Sequence, residues 1–162
     1  MATASSSTTF SMPTDREVVA TRLFDAPREL VWEAFTKPEH LTKWLLGPDG
    51  WEMPICEIDL RPGGAYRYGW ARAGTGEDPF ELSGRFSEVE TPHRIVHTEQ
   101  FGGEGPEAII TLELVEEDGK TRMTTTMLYP SKEIRDRVLE TGMTDGAGKS
   151  YDRLADYLGS IG

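Results

Sequence analysis

The residues Gly148-Lys149-Ser150 close the stretch GMTDGAGKS in the way that a phosphate-binding loop ends. Such a loop also needs a glycine separated by four residues from Gly148, because successive backbone N–H groups must converge on the phosphates. That position holds Met143, and Gly142 is one residue out of register. The preceding sequence, EIRDRVLE, has a helical pattern, whereas a phosphate-binding loop follows a buried strand. We therefore interpret the stretch as part of a helix that is rich in small residues.

The histidines, the single cysteine and one pair of carboxylates are the other groups that could do chemistry. His93 and His97 fall on or beside a predicted strand, where four residues span about 13 Å, which is too far for one metal ion. Cys56 lies on the apolar side of a strand with no basic group nearby, which favours a buried structural thiol over a nucleophile. Glu57 and Asp59 share a strand face and form either a carboxylate pair or the solvated face of a sheet. From spacing alone we predict no metal, no cofactor and no catalytic residue.

Aromatic residues are concentrated between positions 44 and 80. They are Trp44, Trp51, Tyr66, Tyr68, Trp70 and Phe80. Aromatic side chains dominate protein cores, and they also line ligand pockets together with a few polar groups. Both interpretations stay open at this point. Arg67 and Arg85 are polar anchors in the second interpretation, or they lie on the outer face of the sheet.

Charge and composition restrict the classes of partner. Lys and Arg number 17 and Asp and Glu number 28, which gives a formal charge of −11. This sign disfavours nucleic acid and anionic membranes, and no apolar run approaches the ~20 residues of a membrane span. The single cysteine cannot form an internal disulfide, and the first residues lack the pattern of a secretory signal. We predict a cytoplasmic protein that binds neither nucleic acid nor membrane.

The order of elements indicates an α+β domain. Residues 1–15 are rich in Ser, Thr and Ala, which predicts a disordered tail, and residues 16–160 are predicted to form one domain. A strand at 17–24 is followed by two short helices that begin near Pro27 and Pro38. Six further strands with short links predict an antiparallel sheet, and a helix from Ser131 to about Leu158 must cover its apolar face.

The C-terminal helix carries two apolar stripes that do not join. One stripe consists of Met143, Ala147, Tyr151, Leu154 and Leu158. The other stripe, Ile134 and Val138, continues to Gly142 and is therefore rotated by about 100°. We predict a kink or break near 141–142.

Several motifs occur together in an order that resembles a known family. They read FDAPRELVWEAFTKPEHLTKWLLGP, CEIDLRPGGAYRY, GRFSEV, GKTRMT and GMTDGAGKSYDRL. The chain resembles the bacterial relatives of the activator of the heat-shock chaperone ATPase, in the START-like superfamily. The resemblance implies a helix-grip fold, in which a curved seven-stranded antiparallel sheet wraps around a long C-terminal helix and encloses an apolar cavity. The family usually has tryptophan at the position of Ala147, so this chain should have a larger cavity.

The predicted ligand site is this cavity. Its expected lining is Trp44, Trp51, Tyr66, Tyr68, Trp70, Phe80, Met143, Ala147 and Tyr151. The first hypothesis for function is binding of a small hydrophobic molecule. An enzyme acting on a bound hydrophobic substrate is the second, with His97, Glu99 or Asp59 as candidate acid or base. A chaperone-associated interaction module is the third, and homodimer formation also stays open.

Overall fold

A computed structural model describes residues 7–161. The strands are β1 (Thr9–Ser11), β2 (Glu17–Phe24), β3 (Trp51–Ile58), β4 (Ala65–Arg72), β5 (Phe80–Glu90), β6 (Arg94–Phe101), β7 (Glu107–Glu117) and β8 (Lys120–Leu128). The helices are α1 (Arg28–Thr36), α2 (Pro38–Trp44), α3 (Lys132–Glu140) and α4 (Met143–Ile161). The strands form one antiparallel sheet in the order β1-β2-β8-β7-β6-β5-β4-β3. This is the predicted α+β architecture, and it is consistent with a helix grip.

The sheet has eight strands, so the predicted count of seven is wrong. The additional strand is β1, which lies inside the segment 1–15 that we predicted to be disordered. Its residue Phe10 pairs with Ala20 of β2 and packs its half-buried ring against the core. One aromatic side chain therefore supplies the apolar burial that the surrounding Ser and Thr residues lack. The prediction of disorder for residues 1–6 lies outside the described residues.

The helix boundaries follow local capping chemistry. Pro27 is the residue before α1, and Pro38 is the first residue of α2. At the start of a helix the backbone N–H has no partner within the helix, so proline, which lacks this group, loses no hydrogen bond there. The Ser131 hydroxyl accepts a hydrogen bond from the Ile134 N–H at 3.2 Å and caps α3. Between α3 and α4, Gly142 has a φ of +81°, a left-handed conformation that ends a helix. The predicted break near residue 142 is confirmed.

Helix α4 lies against the inner face of the sheet. Tyr151, Leu154 and Leu158 are buried there in one core with residues of β2, β6, β7, β8, α1 and α2. The buried Arg22 of β2 pairs with Asp152, which fixes the orientation of α4 across the sheet. None of the helices within residues 7–161 is both long and apolar enough to cross a membrane.

Candidate ligand cavity

A cavity of about 500 Å³ lies between the inner face of the sheet and the N-terminal half of α4. This volume is in the range of small-molecule pockets. All of the residues that the sequence predicts for the lining do line it: Trp44, Trp51, Tyr66, Tyr68, Trp70, Phe80, Met143, Ala147 and Tyr151. That these side chains contact a ligand stays a prediction.

The aromatic walls of the cavity are held by contacts among themselves and with the backbone. Trp70 stacks on Phe80 with ring centroids 5.2 Å apart, and Trp44 stacks on Tyr151 at 6.1 Å. The indole N–H of Trp44 donates to Ala34 O at 2.9 Å, and that of Trp70 donates to Leu45 O at 2.7 Å. Both indole N–H groups therefore have partners within the protein, and these two residues present the apolar surface of their rings to the cavity.

One end of the cavity is covered by the loop that follows α2. Ser150 of α4 accepts a hydrogen bond from the Gly47 N–H at 2.7 Å, and Arg153 donates to Gly47 O at 3.1 Å. A methyl group at Gly146 would be 3.5 Å from Pro48 Cδ, which is ordinary contact. Gly146 and Ala147 therefore place only small groups on the stretch of α4 between Met143 and Tyr151, which also line the cavity. The loop is thus fixed to α4, and the space beneath it stays open.

His97 is one of two titratable groups on β6 that point into the cavity. Its Nδ1 lies 2.9 Å from Thr98 O and 3.1 Å from the Tyr66 hydroxyl. The Tyr66 hydroxyl itself donates to Thr98 O at 2.6 Å. A backbone carbonyl can only accept, so we assign the proton to Nδ1 and leave Nε2 as an acceptor. Burial lowers the pKa of His97, against the opposing effect of the hydrogen bond to Thr98, and favours the neutral ring.

Glu99 is the second group, two residues further along the same strand. Burial raises the pKa of its carboxyl to about 7. Among residues 7–161 this carboxyl forms neither a hydrogen bond nor an ion pair. On β7 it faces Ala108, and on β5 the register from Ser83–Gln100 places Gly84 beside it. Neither neighbour has a polar side chain, so neither supplies a hydrogen-bond partner for the carboxyl.

Gly84 has a second role, because the Thr98 carbonyl approaches it closely. A Cβ atom at this position would collide with Thr98 O. The same carbonyl accepts the hydrogen bonds of Tyr66 and His97. Absence of a side chain at Gly84 therefore permits the backbone geometry that orients both polar groups in the cavity.

The remaining candidates from the sequence lie outside the cavity. Asp59 is exposed and accepts from Arg61 at 2.9 Å, because it points away from the face on which Ile58 and Leu60 line the cavity. Arg67 lies on the outer face in an ion pair with Glu81 at 2.7 Å. Arg85 is likewise on the outer face, where it donates to Gly63 O at 3.2 Å.

Two further side chains also keep ordinary structural roles. Cys56 is half-buried against the core, and burial raises the pKa of its thiol to about 11. His93 lies in the turn before β6 and contacts Glu90 at 3.3 Å. His93 and His97 do not share a site. Within the described chain, no group of three or more His, Cys, Asp or Glu side chains is arranged to hold a metal ion.

Sequence reasoning missed much of the lining that the central strands contribute. It includes Leu82, Phe86, Ile110, Leu112, Thr125 and Met127. Their period-two alternation marks one face of the sheet, but the sequence does not tell which inward positions remain uncovered by α4. Thr125 is the polar member, and its buried hydroxyl has no hydrogen-bond partner in the described part of the chain.

Comparison with solved structures finds the same architecture in bacterial proteins. A crystal structure from Rhodobacter sphaeroides is 29% identical, with a TM-score of 0.89 and coverage of 96% of this chain and 99% of that chain. A protein from Nitrosomonas europaea is 27% identical over 92% and 97% of the two chains, with a TM-score of 0.81. One from Mycobacterium smegmatis is 26% identical over 93% and 96%, with a TM-score of 0.82. Among curated proteins, no sequence relative matches.

A family model described as "Activator of Hsp90 ATPase homolog 1-like protein" matches residues 25–159. This range extends from the turn after β2 almost to the end of α4 and includes every residue of the predicted cavity lining. The chain therefore belongs to the Activator of Hsp90 ATPase homolog 1-like family.

Proposed function

We propose that the protein binds a small hydrophobic molecule in the cavity between the sheet and α4. The observation that carries this proposal is the cavity itself, about 500 Å³ of space with mainly apolar and aromatic walls. Apolar surface that leaves water on binding contributes about 25 cal/mol per Å², so a ligand that buries ~200 Å² gains about 5 kcal/mol from this source. A gain of about 5 kcal/mol corresponds to a dissociation constant of roughly 0.2 mM, and association costs weaken it further, so the hydrophobic contribution alone predicts weak binding of a simple probe.

Filling the cavity tests the proposal. The Ala147→Trp variant places an indole in the space that Ala147 leaves on α4, and it should abolish the fluorescence increase of the neutral probe Nile red. The Asp156→Trp variant is the matched control, because Asp156 is exposed on the same helix. Urea unfolding of each variant establishes that it is folded. A folded Ala147→Trp variant that binds Nile red as well as the unsubstituted protein would overturn the proposal.

A second candidate function is catalysis on the bound hydrophobic molecule. The specific observation in its favour is that His97 and Glu99, a neutral base and a carboxyl of raised pKa, both line the cavity. A site that shifts the pKa values of two titratable groups in opposite directions can support proton transfer. Incubation with candidate substrates, followed by mass spectrometry, tests it: turnover that is lost in both His97→Gln and Glu99→Gln supports catalysis.

Contact with a heat-shock chaperone is a prediction that rests on the family relationship alone. The test is the ATPase rate of the chaperone with and without this protein. A rate that does not change would remove this function. Homodimer formation and a cytoplasmic location are likewise predictions, and light scattering and cell fractionation check them.

A further inference from the structure

We propose that the cavity selects hydrophobic molecules that carry a primary amine, with the Glu99 carboxylate as the partner of the ammonium group and His97 Nε2 as a second acceptor. This inference rests on the proposed function and names the chemical class of the ligand. Three properties of the cavity support it: its free polar atoms, its charge and its aromatic walls.

Two polar groups of β6 offer the cavity acceptor atoms that have no donor in the described part of the chain. The hydroxyl of Tyr66 and Nδ1–H of His97 both donate to Thr98 O, at 2.6 and 2.9 Å. The indole N–H groups of Trp44 and Trp70 donate to other backbone carbonyls. The protein occupies these donors, and the unpartnered hydroxyl of Thr125 can accept as well as donate. His97 Nε2 and the Glu99 carboxylate can only accept, and they have no partner within residues 7–161. A ligand that brings N–H donors satisfies them, and a ligand that brings only acceptors does not.

The charge of the lining favours a cation over a neutral donor. No Lys or Arg lines the cavity in the described structure, so an ionised Glu99 lacks a counter-ion. A buried carboxylate without a partner is costly, and an ammonium group at hydrogen-bonding distance removes that cost. An anionic ligand would add a second negative charge at the same place. The net charge of −11 also attracts cations to the protein surface.

The surroundings of Glu99 supply aromatic groups and no competing charge at neutral pH. The titratable groups that face it are Tyr66 and Tyr68 of β4, His97 of β6, Tyr129 after β8 and Tyr151 of α4, with Glu107 of β7 further out. Burial is the main cause that raises the pKa of Tyr66, Tyr68 and Tyr129, so these phenols stay neutral. The negative charge of Glu99 adds to it in all three, after that of Cys56 in the case of Tyr68. The Tyr66 ring is packed against the His97 ring at 4.9 Å. Aromatic faces beside a carboxylate suit an ammonium group, because the ring quadrupole attracts cations.

Three ligands of nearly equal shape test this selection. They are naphthylmethylamine, naphthylmethanol and naphthoate, which share one ring and differ in the polar group. Calorimetric titration at about pH 8 should give at least a tenfold tighter dissociation constant for the amine than for the alcohol, and the weakest binding for the acid. In Glu99→Gln the amine should lose this advantage while the alcohol keeps its affinity. The control Glu116→Gln removes an exposed carboxylate of β7 and should leave all three affinities unchanged.

The dependence on pH gives a second readout. Below about pH 7 the amine must displace the proton of Glu99, so its affinity should fall up to tenfold per pH unit, whereas that of the alcohol stays flat. Equal affinity of amine and alcohol for the unsubstituted protein, or an amine preference that survives in Glu99→Gln, would overturn the proposal. If the alcohol or Nile red still binds, only the amine selection is refuted and the proposed binding of a hydrophobic molecule is retained. If neither binds, the proposed function itself fails.

Discussion

Replacing Glu99 by glutamine should change how the stability of the protein depends on pH. The carboxyl has a pKa of about 7 in the folded protein, against 4.5 as its ordinary value. Below about pH 4.5 it is protonated in both folded and unfolded chains and contributes no pH dependence. As the pH rises towards 7, the unfolded chain releases this proton while the folded chain keeps it, so unfolding becomes more favourable. Glutamine has no proton to release and abolishes this effect.

The magnitude follows from the two pKa values. Each tenfold change in proton affinity is worth about 1.4 kcal/mol, so moving from 4.5 to about 7 corresponds to about 3 kcal/mol. The free energy of unfolding of the unsubstituted protein therefore falls by about this amount as the pH rises to 7 and above, whereas that of Glu99→Gln does not fall for this reason. Domains are stable by only about 5–15 kcal/mol in total, so the difference is large enough to measure.

Urea unfolding, followed by tryptophan fluorescence between about pH 5 and about pH 9, measures this difference. The free energy of unfolding of Glu99→Gln minus that of the unsubstituted protein should increase with pH by about 2–3 kcal/mol and level off above pH 7. Glu116→Gln, an exposed position on β7, should show a flat difference. A flat difference for Glu99→Gln as well would refute the reasoning, because it would mean that the carboxyl titrates alike in folded and unfolded chains.

Three other substitutions or reactions test individual features. Gly84→Ala should lower the free energy of unfolding by about 2 kcal/mol, since its Cβ would collide with Thr98 O; unchanged stability would show that the strand can yield there. Gly142→Ala should cost about 1 kcal/mol, because the φ of +81° is strained for alanine, and a neutral effect would contradict a left-handed helix end. Cys56 should react with a thiol reagent at pH 8 far more slowly than free cysteine, since burial raises its thiol pKa to about 11. A rate equal to that of free cysteine would mean that the strand opens readily.

Local signals account for what the sequence predicts correctly. β-branched residues identified β2, period-two alternation identified β3 and β4, and Pro27, Pro38 and Ser131 marked helix starts. The mismatch between two apolar stripes predicted the break that Gly142 makes between α3 and α4. These features depend on neighbours within a few residues, which is why they can be recognised without the fold.

Non-local packing accounts for what the sequence left undecided. Phe10 pairs with Ala20 and packs on the core, so part of the predicted disordered tail is a strand. The composition of the tail does not reveal these contacts, because they involve residues that are distant in the sequence. Asp59 was a candidate for the cavity but lies outside it, because its neighbours Ile58 and Leu60 occupy the cavity face and Asp59 points to the opposite side. For His97 and Glu99, the sequence by itself determined that the two side chains share one face of one strand. Only the tertiary structure decided that this face meets an open cavity, whose lining within residues 7–161 includes no Lys or Arg. The space exists because α4 carries Gly146 and Ala147 where it passes over the sheet.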